Sequence, residues 1–321
     1  MNKPHSQFGR YLTIWLAAVG CYFAIVMAVN RQVDPFNELG RNTTGVYFSV
    51  ERQTKEQILD FPHDAIIIGA SKFARIDPTT LHCHTFYNSA FDAALPEEIY
   101  YYLKRYLTDE RLVVIGLDFE FFNERQFAVK KMDEWPRHSF GQLEYLVNFN
   151  TFKSSLVALY KSHKKEPPLI AANGQRITRK KDTGPAEGEV WRIGPGVAHT
   201  KHDFKDDLET ISNHFLRRFL FSQERMEYLR KIKALLASKQ IPCIVIINPY
   251  NHNVLDLIKS KGLEGTFNQW RKGVKEIFPD AYDLSVGKYS YNDDYFPDTD
   301  PYHYLPIVGT KVINSVVRCP N

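Results

Sequence analysis

Cysteine is scarce in this chain, and none of Cys21, Cys83, Cys243 and Cys319 lies in a C-x-x-C pair or beside a histidine at metal-ligand spacing. The usual signature of a structural metal site is therefore missing. Among the 11 histidines, His82 and His84 flank Cys83, and His199 and His202 stand next to Asp203 in one loop. No H-E-x-x-H run exists, so metal catalysis is the weaker chemistry. There is no G-x-G-x-x-G fingerprint and no glycine-rich loop ending in Gly-Lys-Ser/Thr, which disfavours nucleotide cofactors. No cofactor and no metal is expected. Net charge is small, +4 over 321 residues, and no basic run accompanies a recognisable nucleic-acid module, so nucleic acid is not an expected partner.

Long hydrophobic runs are absent as well, with one exception. Residues 11–29 carry no charged side chain. As a helix this run is about 28 Å long, close to the hydrocarbon thickness of a bilayer. A cleaved signal peptide has a shorter apolar region followed by small residues, whereas the exit here reads Met27-Ala28-Val29-Asn30-Arg31, without a clean Ala-x-Ala. The expectation is a retained single-pass anchor in membrane lipid. Residues 1–10 are then cytoplasmic, residues 30–58 form a stalk, and residues 59–321 form one domain on the periplasmic or extracellular face of a bacterial inner membrane. Lys3 and Arg10 before the run and Arg31 and Arg41 after it do not decide the orientation by themselves.

The rest of the chain has the means to build a core, at 44% hydrophobic and 24% charged residues. Ala65-Ile66-Ile67-Ile68, Leu112 to Leu117 and Ile241 to Ile247 are short all-apolar runs of the kind that form strands buried on both faces. Thr85-Phe86-Tyr87 and Ala281-Tyr282-Asp283-Leu284 add two shorter extended pieces. Between them Pro96 opens a helix with Ile99, Tyr102, Leu103, Tyr106 and Leu107 at helical spacing, and a similar stripe begins near Glu224. Strands alternating with helices predict an α/β fold with a doubly wound, largely parallel sheet, whose ligands sit at the C-terminal strand ends. Residues 122–159 are helical in composition but irregular. Residues 161–203, basic and punctuated by proline and glycine, are expected to be a long surface insertion.

Ser71 follows the first apolar run in Gly69-Ala70-Ser71. A turn from strand to helix there can expose the hydroxyl and aim backbone N–H groups at a developing negative charge. Serine in that place also caps helices, and both roles remain open at this point. Near the other end, Asp300-Pro301-Tyr302-His303 precedes a final helix carried by Ile307, Val308, Val312, Ile313, Val316 and Val317. A histidine there can take a serine's proton, and a carboxylate three residues away can hold the ring's tautomer.

Gly69-Ala70-Ser71 early in an α/β chain, with Asp300-x-x-His303 just before the last helix, resembles the SGNH or GDSL-like hydrolase superfamily. The nearest resemblance is to its membrane-tethered bacterial branch, which includes the D-alanyl-transfer protein of teichoic acid synthesis and the alginate O-acetylation proteins. The resemblance implies an SGNH-type fold with Ser71 as nucleophile, His303 as base and acid, and Asp300 as the orienting carboxylate. It further implies acyl transfer or ester cleavage on a cell-envelope polysaccharide or lipid-linked sugar, with room for a membrane-bound acyl-transfer partner. Two departures stand out: Ala70 replaces the aspartate of Gly-Asp-Ser, and Gly116-Leu117-Asp118 stands where the family has Gly-x-Asn-Asp. With that asparagine missing, Asn88 is the expected side-chain donor to an oxyanion, or else satisfies a turn. A non-catalytic or weakly catalytic envelope assembly or scaffold protein that keeps the fold is the alternative, and it predicts that Ser71 lies out of reach of His303 or lacks an acyl pocket.

Overall fold

The computed structural model describes residues 4–36, 39–44, 46, 58, 61–126, 140–164, 170–177, 204–290, 293–296 and 300–319. Much of the expected stalk and most of the expected insertion, including His199 and His202, lie outside these residues. The chain divides into two compact units, one within Met1–Glu56 and Glu134–Pro168, the other within Gln57–Asp133 and Leu169–Asn321.

In the first unit, helix α1 (Pro4–Val33) contains a segment, Phe8–Val33, long and apolar enough to cross a membrane. Its side chains are exposed from Phe8 to Ile25, apart from a half-buried Val19. Val26, Asn30 and Val33 are then buried. At that end α1 packs against α4 (Phe140–Val147) and α5 (Phe149–His163). Asn30 Nδ2 donates to the carbonyls of Leu146 and Asn148 at 2.8 and 3.2 Å, and its Oδ1 accepts from Ser155 Oγ at 3.0 Å. The irregular stretch read in the sequence thus contains two helices. Their apolar residues give no inward stripe because α5 buries the small residues Thr151, Ser155 and Ala158 and turns its large ones outward.

The second unit is a mixed α/β fold on a five-stranded parallel sheet in the order β2-β1-β3-β4-β5, with β1 Ala65–Ile68, β2 Phe86–Asn88, β3 Leu112–Leu117, β4 Cys243–Ile247 and β5 Tyr282–Asp283. Alternation on the pleat sends successive side chains to opposite faces. Ile66, Ile68, Val113, Ile115, Leu117, Val245 and Ile247 enter one core. Ala65, Ile67, Leu112, Val114 and Ile246 enter the other. The first core is shared with α3 (Pro96–Tyr106), α7 (Gln223–Ser238), α8 (His252–Ser260) and α9 (Glu264–Ile277), and the second with α2 (Ser71–Ala74) and α10 (Pro306–Val316). A short α6 (Phe204–Thr210) precedes α7. Helices on both faces explain why these strands read as continuous apolar runs.

The strand order reverses at β1. The chain goes from β1 to β2 on one side and returns to β3 on the other, so the C-terminal ends of β1 and β3 flank the crevice where such sheets bind ligands. Two glycines allow close approach there. A Cβ on Gly69 would lie 2.8 Å from the Gly116 carbonyl oxygen, and a Cβ on Gly116 would lie 2.7 Å from the ring of Phe73, which belongs to α2. Replacement Gly116→Ala should therefore push on the helix that begins with Ser71. We expect a loss of about 1–3 kcal/mol in chemical denaturation, the usual range for overpacking a tight core. An unchanged midpoint would contradict this packing.

Candidate active site

Ser71 is the first residue of α2, and its hydroxyl sits just past the end of β1. The opposing loop approaches from the far end of the chain because α10 is fastened to the segment after α2. Asn314 Nδ2 donates to the Thr80 carbonyl at 3.0 Å and Asn314 Oδ1 accepts from His82 N at 2.9 Å. Cys83 and Cys319 form a disulfide across a sequence separation of 236 residues. In the chain-entropy account, closing a loop of that size stabilises the fold by about 5 kcal/mol. His303 lies three residues before α10, and this clamp delivers it to the nucleophile turn.

Ser71 Oγ is 2.9 Å from His303 Nε2, and His303 Nδ1 is 2.8 Å from Asp300 Oδ2. The second carboxylate oxygen, Oδ1, accepts from the backbone N–H groups of Tyr302 and His303, both at 2.9 Å. Burial alone would raise the pKa of Asp300. The charge of His303, its hydrogen bonds and the nearby Arg75 guanidinium outweigh that and hold it at about 2. An ionised Asp300 can only accept, so the proton of a neutral ring resides on Nδ1. Nε2 is then the free base facing the Ser71 hydroxyl, which donates to it. The three residues form a triad-like arrangement of the kind used by serine hydrolases.

Asn88 is the last residue of β2. Its Nδ2 donates to the carbonyls of Phe73 and Ile76 at 2.9 Å, with Ala74 at 3.3 Å, and its Oδ1 accepts from Ala90 N. Both amide hydrogens are thereby committed to the backbone that leaves α2. Residues 170–177 brace the same turn from outside. Asn88 N donates to the Asn173 carbonyl and Arg176 N to the Ala74 carbonyl, both at 2.8 Å. Gly174, at φ +82°, is required because a Cβ would fall 2.1 Å from the Asn88 carbonyl oxygen.

Several charged residues surround the triad, and of these Arg75, Asp92 and Arg176 carry no sign of a role in the sequence. Arg75, one helical turn after Ser71, is buried, and its Nη2 has no hydrogen-bond partner among the described residues. Arg176 Nη2 pairs with Asp92 at 2.7 Å. Burial opposes ionisation of Asp92, but Arg176, His303 and Arg75 hold its carboxyl below the usual range. Beneath the turn, Lys72 has no exposed side-chain surface and places its ammonium 2.8 Å from Asp118 Oδ1 and 3.9 Å from Glu120 Oε1. It also lies 3.9 Å from the ring centre of Tyr250 and 4.4 Å from that of Tyr302. Tyr250 donates to Glu120 at 2.7 Å, Asn248 Nδ2 to Asp118 at 3.1 Å, and Tyr304 to Asn248 Oδ1 at 3.1 Å. Burial raises the pKa of Glu120 despite Lys72. Tyr302 and Tyr304 flank His303, so one buried network joins the Ser71 turn, the ends of β3 and β4, and the histidine loop.

No metal-binding group of three or more His, Cys, Asp or Glu side chains occurs among the described residues. His84 Nδ1 is 3.0 Å from Asp64 Oδ2, and its neighbour Cys83 is in the disulfide. No family model matches this chain, and no curated protein matches it. What the geometry supports is a serine-hydrolase or acyltransferase type of catalytic core.

Two outcomes follow. Lys72→Met should leave Asp118 buried without its cation, and removing one partner of a buried ion pair costs about 3–5 kcal/mol. A denaturation curve within 1 kcal/mol of wild type, by about the size of a surface pair, would show that the pair contributes little. Asp300 has a depressed folded pKa, so its contribution is present above the unfolded value and is lost as pH falls from about 4 through about 2. The stability difference between wild type and Asp300→Asn should therefore be roughly 2–3 kcal/mol larger at pH 7 than near pH 2. Equal differences at both pH values would place the Asp300 carboxylate outside the interaction described.

Proposed function

We propose that this protein is a membrane-anchored acyl-ester enzyme of the SGNH hydrolase class, with the unit of residues 57–133 and 169–321 as its catalytic domain outside the cytoplasm. The observation that carries the proposal is the Ser71–His303–Asp300 geometry, with contacts of 2.9 and 2.8 Å. Ser71 Oγ attacks an acyl carbonyl while its proton passes to His303 Nε2, and Asp300 stabilises the resulting imidazolium. The tetrahedral oxyanion is taken by backbone N–H groups at the Ser71 turn, and Asn88 serves as a positioning residue that holds that turn. When the intermediate collapses, His303 returns the proton to the departing alkoxide, leaving the acyl group on Ser71. A second hydroxyl, from water or a sugar, then gives its proton to His303 and takes the acyl group, which restores Ser71.

The disulfide supports an oxidising, extracytoplasmic compartment, since such bonds are rare in the cytosol. The exposed apolar part of α1 supports anchoring. Together with the Gly69-Ala70-Ser71 and Asp300-x-x-His303 motifs, they favour a cell-envelope polysaccharide or lipid-linked sugar as acyl acceptor or donor, with a membrane-bound acyl-transfer partner. The 2.9 Å contact between Ser71 and His303 favours catalysis over the scaffold alternative, whose other form is a site without an acyl pocket.

A fluorophosphonate probe tests the reading directly. Wild-type protein should be labelled covalently, Ser71→Ala should not, and Asp300→Asn should be labelled about 10³–10⁴-fold more slowly, as when an orienting carboxylate is neutralised in a related triad. Labelling that survives in Ser71→Ala moves the nucleophile elsewhere, and an unlabelled wild type favours the scaffold.

A further inference from the structure

The outer face of α5 is unlike that of a water-facing helix. Phe149 is 64% exposed, Leu156 49%, Leu159 45% and Tyr160 64%, and Phe152 is half-buried beside them. At roughly 100° per residue these five fall within about 100° of arc, away from the Thr151, Ser155 and Ala158 face that packs inward. Lys153, Lys161 and Lys164 lie along one flank of that stripe, and α5 contains no acidic residue. Such a pattern, apolar on one arc and basic at its edge, is that of helices lying in the plane of a membrane surface.

The position of α5 along α1 says what covers the stripe. The exposed part of α1, from Phe8 to Ile25, is about 27 Å long, nearly the full depth of a bilayer core. Burial of α1 begins with Val26 and continues through Asn30 and Val33, where α4 and α5 pack. The helix pair therefore starts where the lipid-length surface ends, at headgroup level. The basic flank suits anionic headgroups, and Arg31, exposed in the last turn of α1, adds to it.

We propose that α5 is an interfacial helix that seats Phe149, Phe152, Leu156, Leu159 and Tyr160 in the boundary between headgroups and acyl chains of the membrane that α1 crosses. This rests on the membrane-anchored reading above. Its consequence is mechanical: an anchor held by a crossing helix and a second, surface-lying helix is restricted in its tilt relative to the membrane plane.

Site-directed spin labelling of the full chain in vesicles of phosphatidylethanolamine and phosphatidylglycerol tests it. The background carries Cys21→Ser and Cys243→Ser and keeps the Cys83–Cys319 bridge. Labels go on Leu156→Cys, Tyr160→Cys, Leu16→Cys within the crossing segment, and Lys231→Cys on an exposed part of α7. The Leu156 and Tyr160 labels should shift from collision with a water-soluble nickel chelate towards collision with oxygen, to a depth between those of Lys231 and Leu16. Should they collide with nickel as readily as Lys231 while Leu16 stays deep, the interfacial helix is overturned and the crossing helix stands. Should they be shielded from both reagents, protein covers the stripe, as in pairing with a second copy, and the lipid assignment is overturned. A nickel-accessible Leu16 would overturn the crossing helix itself.

Discussion

The Lys72 ammonium, with no exposed side-chain surface, is the charge on which the candidate site depends. Taking an ammonium out of water costs several kcal/mol even after relaxation, so it persists only with a carboxylate partner and further polar contacts. Asp118 supplies the partner, Glu120 a second negative group, and the faces of Tyr250 and Tyr302 complete the enclosure. These groups come from the nucleophile turn, the ends of β3 and β4, and the histidine loop. Neutralising one buried cation therefore fixes the mutual position of Ser71 and His303.

The order of the sheet makes that convergence possible. Because β1 and β3 are neighbours at the reversal point, the residues following them, Ser71 and Lys72 on one side and Asp118 on the other, open into the same crevice. Gly69 and Gly116 let the two strand ends approach closely, with Phe73 filling the space that a side chain on Gly116 would occupy. The absence of side chains at Gly69 and Gly116 is thus a packing requirement in the fold.

Much of this was legible in the sequence, and the physical reason is locality. β1, β3 and β4 are all-apolar runs because both sheet faces are covered, and Asp300 and His303 stand three residues apart, a spacing that closes one hydrogen-bonded loop. Asn88 was legible as a polar residue at a strand end, but its type says nothing about which acceptors its amide will find. Its hydrogens go to Phe73, Ala74 and Ile76. Lys72 with Asp118, and Arg176 with Asp92, join residues far apart in the chain, and no periodicity records such pairings. The periodicity of α5 is irregular in the sequence because the small residues face in and the large ones face out.

The disulfide links these two levels. Cys83 follows the turn that carries Ser71, and Cys319 follows the helix that carries the His303 loop, so one covalent bond spans the same two segments that the triad must align. The non-covalent joints beside it, Asn314 to Thr80 and His82, are exposed hydrogen bonds, each worth about 1 kcal/mol. They do not offset the entropy of holding together parts of the chain more than 200 residues apart. Alignment of Ser71 with His303 at 2.9 Å thus draws on two sources of different character, a buried charge cluster that sets geometry and a covalent clamp that removes alternatives from the unfolded chain.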